Sequence, residues 1–215
     1  MINECHFGDC RDTLDKIKSE GIVVQSCITS PPYYGLRSYL DDNHPNKNNE
    51  VGLELTPEQF IENLVDVFRK VKEVLADDGT LWVNIGDSYY NYRPGNLSYP
   101  KQTIASNNQD LPANSPKRNT KLEGYKEKDL IGIAWMLAFA LRNDGWYLRQ
   151  DIIWSKPNPM PESVTDRCTK SHEYIFLFSK NQNYYFDSES IKEPSVDGNT
   201  RRKRSVWEVQ IRPYK

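Results

Sequence analysis

From Phe60 to Leu75 apolar residues recur at steps of three and four: Phe60, Leu64, Val67, Phe68, Val71, Val74 and Leu75. That spacing lays them along one stripe of a helix, and such a stripe has to be buried. Thr56 supplies an N-cap, Pro57 the first turn and Gln59 the reciprocal capping partner. Gly79 is expected to end the helix, and Thr80-Leu81-Trp82-Val83-Asn84-Ile85 follows as a buried strand that stops at Gly86-Asp87. A helix that feeds so directly into a buried strand confines the chain to α/β sheets with helical crossovers.

The remaining segments extend that grammar. Gly21 to Thr29 is short, rich in β-branched residues and runs into Ser30-Pro31-Pro32, which reads as a buried strand that Pro31 terminates. Before it, Asp12 to Ser19 carries Leu14 and Ile17 and predicts a short helix, and residues 4–8 predict another short strand ending at Gly8-Asp9. Tyr39 to Asn49 is almost wholly polar and reads as a mobile loop, and a polar insert spans about residues 90–128. Asp129 is expected to cap a third helix whose buried stripe holds Leu130, Ile133, Leu137, Phe139 and Leu141, closed by Asn143-Asp144-Gly145. Trp146 to Trp154 and His172 to Ser179 predict two more strands, separated by the proline-rich stretch Lys156 to Pro161, and Tyr184-Tyr185-Phe186 extends or pairs with the second. Phe60, Phe68 and Phe139 on the helices, with Trp82 and Trp154 in the strands, are the expected aromatic core. The sum is an open α/β sheet of the doubly wound type, in one domain over residues 1–215.

Composition excludes more than it selects. A net charge of -2 gives no global positive field, so any nucleic-acid binding must come from local patches. No apolar run approaches the roughly twenty residues of a bilayer span, and Met1-Ile2-Asn3-Glu4 does not open a leader, so a cytoplasmic protein without a membrane partner is expected. Cys5, Cys10, Cys27 and Cys168 lack the paired spacing of a zinc site or a disulfide framework; no metal is expected, and Cys10, Cys27 and Cys168 read as small hydrophobes.

Ligands of open α/β sheets sit outside the carboxyl ends of strands, and Ser30-Pro31-Pro32-Tyr33 occupies such an end. Two prolines hold the backbone extended and project a hydroxyl, a carbonyl and an aromatic ring in a set order. Those groups suit a planar base with an exocyclic amine. Tyr33 can stack on the ring, while the Ser30 hydroxyl and the Pro31 carbonyl accept the two amine hydrogens.

The wider setting of that tetrapeptide carries a resemblance. Thr29-Ser30-Pro31-Pro32-Tyr33-Tyr34-Gly35-Leu36-Arg37-Ser38-Tyr39 resembles the catalytic motif and following loop of the permuted DNA amino-methyltransferases, which act on cytosine N4 or adenine N6. Val51-Gly52-Leu53-Glu54, Gly79 to Tyr89, Asp151 to Ser163 and Lys170 to Lys180 resemble further family segments in the same order. The resemblance implies an incomplete Rossmann-like class I methyltransferase sheet with helices on both faces, and S-adenosylmethionine as methyl donor. Serine before the two prolines is similar to the cytosine-N4 type, so the implied reaction is methylation of the N4 amine of a flipped-out cytosine in double-stranded DNA, of the kind found in restriction-modification. Adenine-N6 methylation, or a non-catalytic DNA-binding fragment or subunit, remain the alternatives. Cytosine C5 chemistry would imply a Pro-Cys pair, and no cysteine here follows a proline.

Carried over residue by residue, the resemblance makes Ser30, Pro31, Pro32 and Tyr33 catalytic and places Asp9, Thr29 and Ser30 beside the cofactor. It implies substrate contacts from Tyr34, Arg37, Asp87, Lys156 and Asn158. For DNA phosphates the candidates are Arg37, Lys117, Arg118, Lys121 and the run Arg201-Arg202-Lys203-Arg204, within a DNA-contacting region at about residues 188–207. His172 reads as structural or as a polar pocket wall. The eleven glycines never form the Gly-x-Gly that relatives use around the methionine part of the cofactor. A complementing chain or a homo-oligomer is therefore an expected partner.

Overall fold

The computed structural model describes residues 3–91 and 121–210. Strands β1 (Val24–Thr29), β2 (Leu75–Ile85), β3 (Tyr147–Ser155), β4 (His172–Ser179) and β7 (Val206–Glu208) form a sheet in the order β1-β2-β4-β3-β7. A separate ribbon pairs β5 (Glu193–Pro194) with β6 (Thr200–Arg201). β1 runs parallel to β2 and β3 parallel to β7, whereas β4 lies antiparallel to both of its neighbours. Three α-helices accompany them among the described residues: α1 (Cys10–Ser19), α2 (Pro57–Val74) and α3 (Ile133–Asn143). The fold is α/β with a mixed sheet.

The chain divides into two compact units. One comprises Met1–Ser30, Lys70–Ile85 and Gly145–Lys215 and holds every strand of the described residues; the other comprises Pro31–Arg69 and Gly86–Asp144. In the first, β2 alternates as a half-covered strand must, with Leu81, Val83 and Ile85 fully buried and Trp82 and Asn84 on the other face. Phe176 and Phe178 of β4 and Trp146 complete this core, with Trp146 set edge-on to Phe178. α1 is tied on by ion pairs from Lys70 to Asp15 and from Lys18 to Glu73. In the second unit, Phe60, Leu64 and Phe68 of α2 and Leu137 and Leu141 of α3 are buried, each side chain contributing about 1.5–3 kcal/mol. Arg69 joins the two helices, pairing with Asp66 and with Asp144 at the end of α3.

Several local expectations give way to long-range partners. Thr56 does cap α2, its hydroxyl accepting the Gln59 amide at 3.2 Å, but the helix ends at Val74 rather than at Gly79. Gly79 lies inside β2, where a Cβ would meet the Ala76 carbonyl oxygen at 2.8 Å and that of Gln25 at 3.1 Å. Asp129 does not cap α3; its carboxylate takes the Lys126 amide, and the helix starts after Gly132, whose φ of 88° suits only glycine. No strand forms at residues 4–8, because no partner pairs with them there. Tyr184-Tyr185-Phe186 forms no strand either: the Tyr185 amide donates to Asp78 O, and the Phe186 ring stacks on Trp82. Phe139 points outward, 44% exposed, against Trp135 and the Arg142 guanidinium. Cys5, Cys10 and Cys168 are exposed rather than packed, and Cys27 is half-buried.

Candidate active site

In the strand-bearing unit, register alone assembles a polar cluster. Thr29 pairs with Val83, so Ser30 follows beside Asn84 at the carboxyl ends of β1 and β2. The antiparallel β4 brings its amino end to the same edge, where Glu173 pairs with Trp154 and His172 with Ser155 just before Lys156. The exposed Ser30 hydroxyl donates to Asn84 Oδ1 over a long 3.4 Å. Asn84 Nδ2 donates to Tyr174 O at 3.1 Å and to Glu173 Oε2 at 3.3 Å. Lys156 forms a close ion pair with Glu173 Oε1. His172 lies half-buried with its ring edge-on to Tyr174.

In the other unit, the residues after Ser30 form a rigid corner. Pro31 is buried, and the turn closes through Leu36 N to Tyr33 O at 3.2 Å and Gly35 N to Gly52 O at 2.6 Å. Gly52 adopts φ 105°, and any side chain on it would crowd Pro32 Cβ at 3.2 Å and Tyr33 O at 3.3 Å. Glu54 holds this strap by accepting from Gly52 N and Asn63 Nδ2. The Tyr33 ring rests on Gly86, where a Cβ would fall 2.6 Å from Cε2. The polar loop that follows is organised by Glu50, which accepts from the Tyr39 and Leu40 amides and from Lys47.

Comparison with known proteins shows the family of this chain. The family model described as DNA methylase, N6_N4_Mtase, matches residues 24–215. The chain belongs to the N6/N4 DNA methylase family. It is 47% identical over 209 residues to Type II methyltransferase M.SmaI of Serratia marcescens, covering 96% of this chain and 66% of that protein. It is 46% identical over 211 residues to Type II methyltransferase M.Cfr9I of Citrobacter freundii, covering 96% and 64%. The chain thus spans just under two thirds of the length of these curated relatives. Among solved structures it is similar to PvuII DNA methyltransferase (cytosine-N4-specific), with a TM-score of 0.59 at 14% identity, over 98% of this chain and 58% of that one.

The other residues that the family resemblance had singled out are placed unevenly. Tyr34 is 2% exposed, its ring against Phe60 and its hydroxyl donating to Leu55 O, so it anchors the corner from within and is not a surface for substrate. Burial raises the Tyr34 phenol pKa well above its ordinary value. Asp87 Oδ1 accepts from the amides of Ser88, Gly132 and Ile133, at 2.8, 3.0 and 3.1 Å, which makes Asp87 the cap of α3. Asp9 caps α1 and pairs through both oxygens with Arg11, a hydrogen-bonded contact that holds its pKa below the usual carboxylate value. Arg201 pairs with Glu193 at 3.0 Å, Lys203 at 3.4 Å and Arg204 at 4.0 Å, so the basic run is partly neutralised by one carboxylate. Arg202, Arg37 and Asn158 are exposed. Lys117 and Arg118 lie outside the described residues, as does most of the polar insert, and Lys121 is exposed.

Asn84, Glu173, Gly52, Gly86 and Glu193 escaped the sequence reading as site residues. Asn84 did leave a trace, as the one amide in the apolar stretch Leu81 to Ile85. Among the described residues no group of His, Cys, Asp or Glu is arranged to hold a metal ion, and no helix is long and apolar enough to cross a membrane.

Proposed function

We propose that this chain is the target-base portion of a site-specific DNA methyltransferase that moves a methyl group from S-adenosylmethionine to the N4 amine of a cytosine flipped out of double-stranded DNA. The observation that carries the reading is Ser30, exposed at the carboxyl end of β1 and followed by two prolines, in a chain of this family. A hydroxyl and a backbone carbonyl held there can accept the two hydrogens of an exocyclic amine, and the Tyr33 ring offers a stacking surface. With its hydrogens held, the amine nitrogen is turned so that its lone pair leaves conjugation with the ring. Alignment of that nitrogen then supplies several kcal/mol without a strong general base. Extracting the base from the duplex costs a few kcal/mol, which phosphate contacts from exposed Arg37 and Arg202 help to offset. Lys156 and Asn158, after β3, would border the target pocket.

The cofactor supplies an electrophilic methyl on a positively charged sulfur. Thr29 and Ser30 fit a place beside it, at a strand end next to Ile28, which is 81% exposed on the sheet's edge strand. Asp9 would reach an adenosine only by exchanging its Arg11 contact. The glycine-rich part of the donor site is not among these residues, so a complementing segment, chain or second copy would furnish it.

Nucleoside mass analysis of duplex DNA treated with S-adenosylmethionine and the polypeptide that carries this chain tests the proposal. N4-methylcytosine is the expected product. N6-methyladenine would move the assignment to the other amine of the same chemistry, and unmodified DNA would end the enzymatic reading.

A further inference from the structure

Ser30 can help an amine only if its lone pairs, and not its hydrogen, face the base. A free hydroxyl rotates and can present either. Asn84 removes that freedom. The two ends of an amide side chain have the same shape, and only their partners decide which is which. On one side of Asn84 stand the Tyr174 carbonyl at 3.1 Å and the Glu173 carboxylate at 3.3 Å, and both are acceptors. The NH2 end must turn to them, which sends Oδ1 to the Ser30 side. An amide oxygen cannot donate, so the hydroxyl hydrogen is committed to Asn84 and the hydroxyl lone pairs are left for the base. Lys156 anchors the far oxygen of Glu173 and so keeps the near one on Asn84.

We infer that Asn84, oriented by Glu173 and Lys156, is a positioning residue that makes Ser30 an obligate hydrogen-bond acceptor toward the target base. The inference rests on the reading of Ser30 as the amine-binding hydroxyl and deepens it. An obligate acceptor welcomes an NH2 and repels a keto oxygen, so the cluster selects cytosine or adenine over uracil or thymine. The 3.4 Å separation is long for a hydroxyl donor, as such contacts often are before substrate tightens them.

The test is a double-mutant cycle on single-turnover methylation, with the polypeptide that carries this chain, duplex DNA and S-adenosylmethionine. Asn84→Ala is expected to slow methyl transfer about tenfold, the scale of one neutral hydrogen bond, with DNA affinity within about twofold. In a Ser30→Ala background the same change is expected to cost nothing further, because Asn84 acts through that hydroxyl. Binding to duplexes with uracil at the target position should show the amine-over-keto preference shrinking in Asn84→Ala. An unchanged rate, or an equal loss in both backgrounds, overturns the inference while leaving the reading of Ser30 intact. If Ser30→Ala alone turns over normally, the amine-binding role of Ser30 fails and the inference falls with it.

Should Asn84→Ala not fold, Asn84→Asp supplies the readout. An ionised carboxylate only accepts, so the Ser30 hydrogen stays committed to it and the amine-over-keto preference is expected to survive this change. Loss of that preference in Asn84→Asp overturns the inference.

Discussion

The Tyr33 ring sits directly on Gly86, so closely that a Cβ there would fall 2.6 Å from ring carbon Cε2 and 3.1 Å from Cδ2. The glycine after β2 therefore serves the aromatic corner rather than a turn of its own. Gly86→Ala is expected to push the ring out of place at a cost of about 1–3 kcal/mol, the usual range for overpacking. Methyl transfer should fall at least tenfold while the thermal midpoint drops by only a few degrees. Normal turnover in this variant would show that the position of Tyr33 is immaterial.

Asp87 gathers two amides at the start of α3, those of Gly132 and Ile133, besides that of its neighbour Ser88, and Gly132, the cap residue of that helix, has no side chain to offer. Removal of the carboxylate leaves Ile133 N, in a residue that is 1% exposed, without this acceptor. Asp87→Ala should cost about 2 kcal/mol in urea unfolding, at the upper end for a lost cap, and Asp87→Asn should recover most of it. Full stability with weakened DNA binding would instead return Asp87 to the substrate contacts.

Asp9 lends a pH signature. Its hydrogen bonds to Arg11 depress the folded-state pKa, so the folded state binds a proton less readily than the unfolded chain. The contribution is present above the unfolded carboxyl pKa near 4 and is lost as pH falls through the folded value. Asp9→Ala is expected to lower stability by about 1 kcal/mol at neutral pH, with the deficit vanishing in acid. A deficit independent of pH would detach it from the carboxylate.

Arg201 and Arg202 are neighbours with different expected roles. Arg201 is pinned to Glu193 across the β5-β6 ribbon, while Arg202 is exposed. Arg202→Ala should reduce the slope of log affinity against log salt by about one, as for one lost phosphate contact, and Arg201→Ala should leave it nearly unchanged. Glu193→Gln, which releases its three cations, should steepen the slope. Equal effects of the two arginine variants would mean that the Glu193 pairing does not survive DNA binding.

Much of the framework was legible because it is written in short-range pattern. The strand His172–Ser179 and the α2 cap at Thr56 fall where a short run rich in aromatic and aliphatic residues and capping chemistry put them. The misplacements share a cause. Asp129 and Asp87 offer the same carboxylate chemistry near α3, and which one caps it depends on a contact 45 and 46 residues away in sequence. Tyr34 and Tyr33 are adjacent and identical, yet one is buried beneath Leu55 and the other lies on Gly86.

The amino-acid order by itself determined the existence of the helices, the buried strand β2 and the stiff Ser30-Pro31-Pro32 corner, since propensity, periodicity and proline act over a few residues, whereas β1, expected to be buried, lies at the sheet edge with Ile28 81% exposed. Only the tertiary structure decided what that corner's hydroxyl meets. Ser30 reaches Asn84 across 54 positions and Asn84 reaches Glu173 across 89, because parallel and antiparallel neighbours in the sheet bring those strand ends to one edge. Sheet register is set by the burial of whole strands, and no local run of residues encodes it.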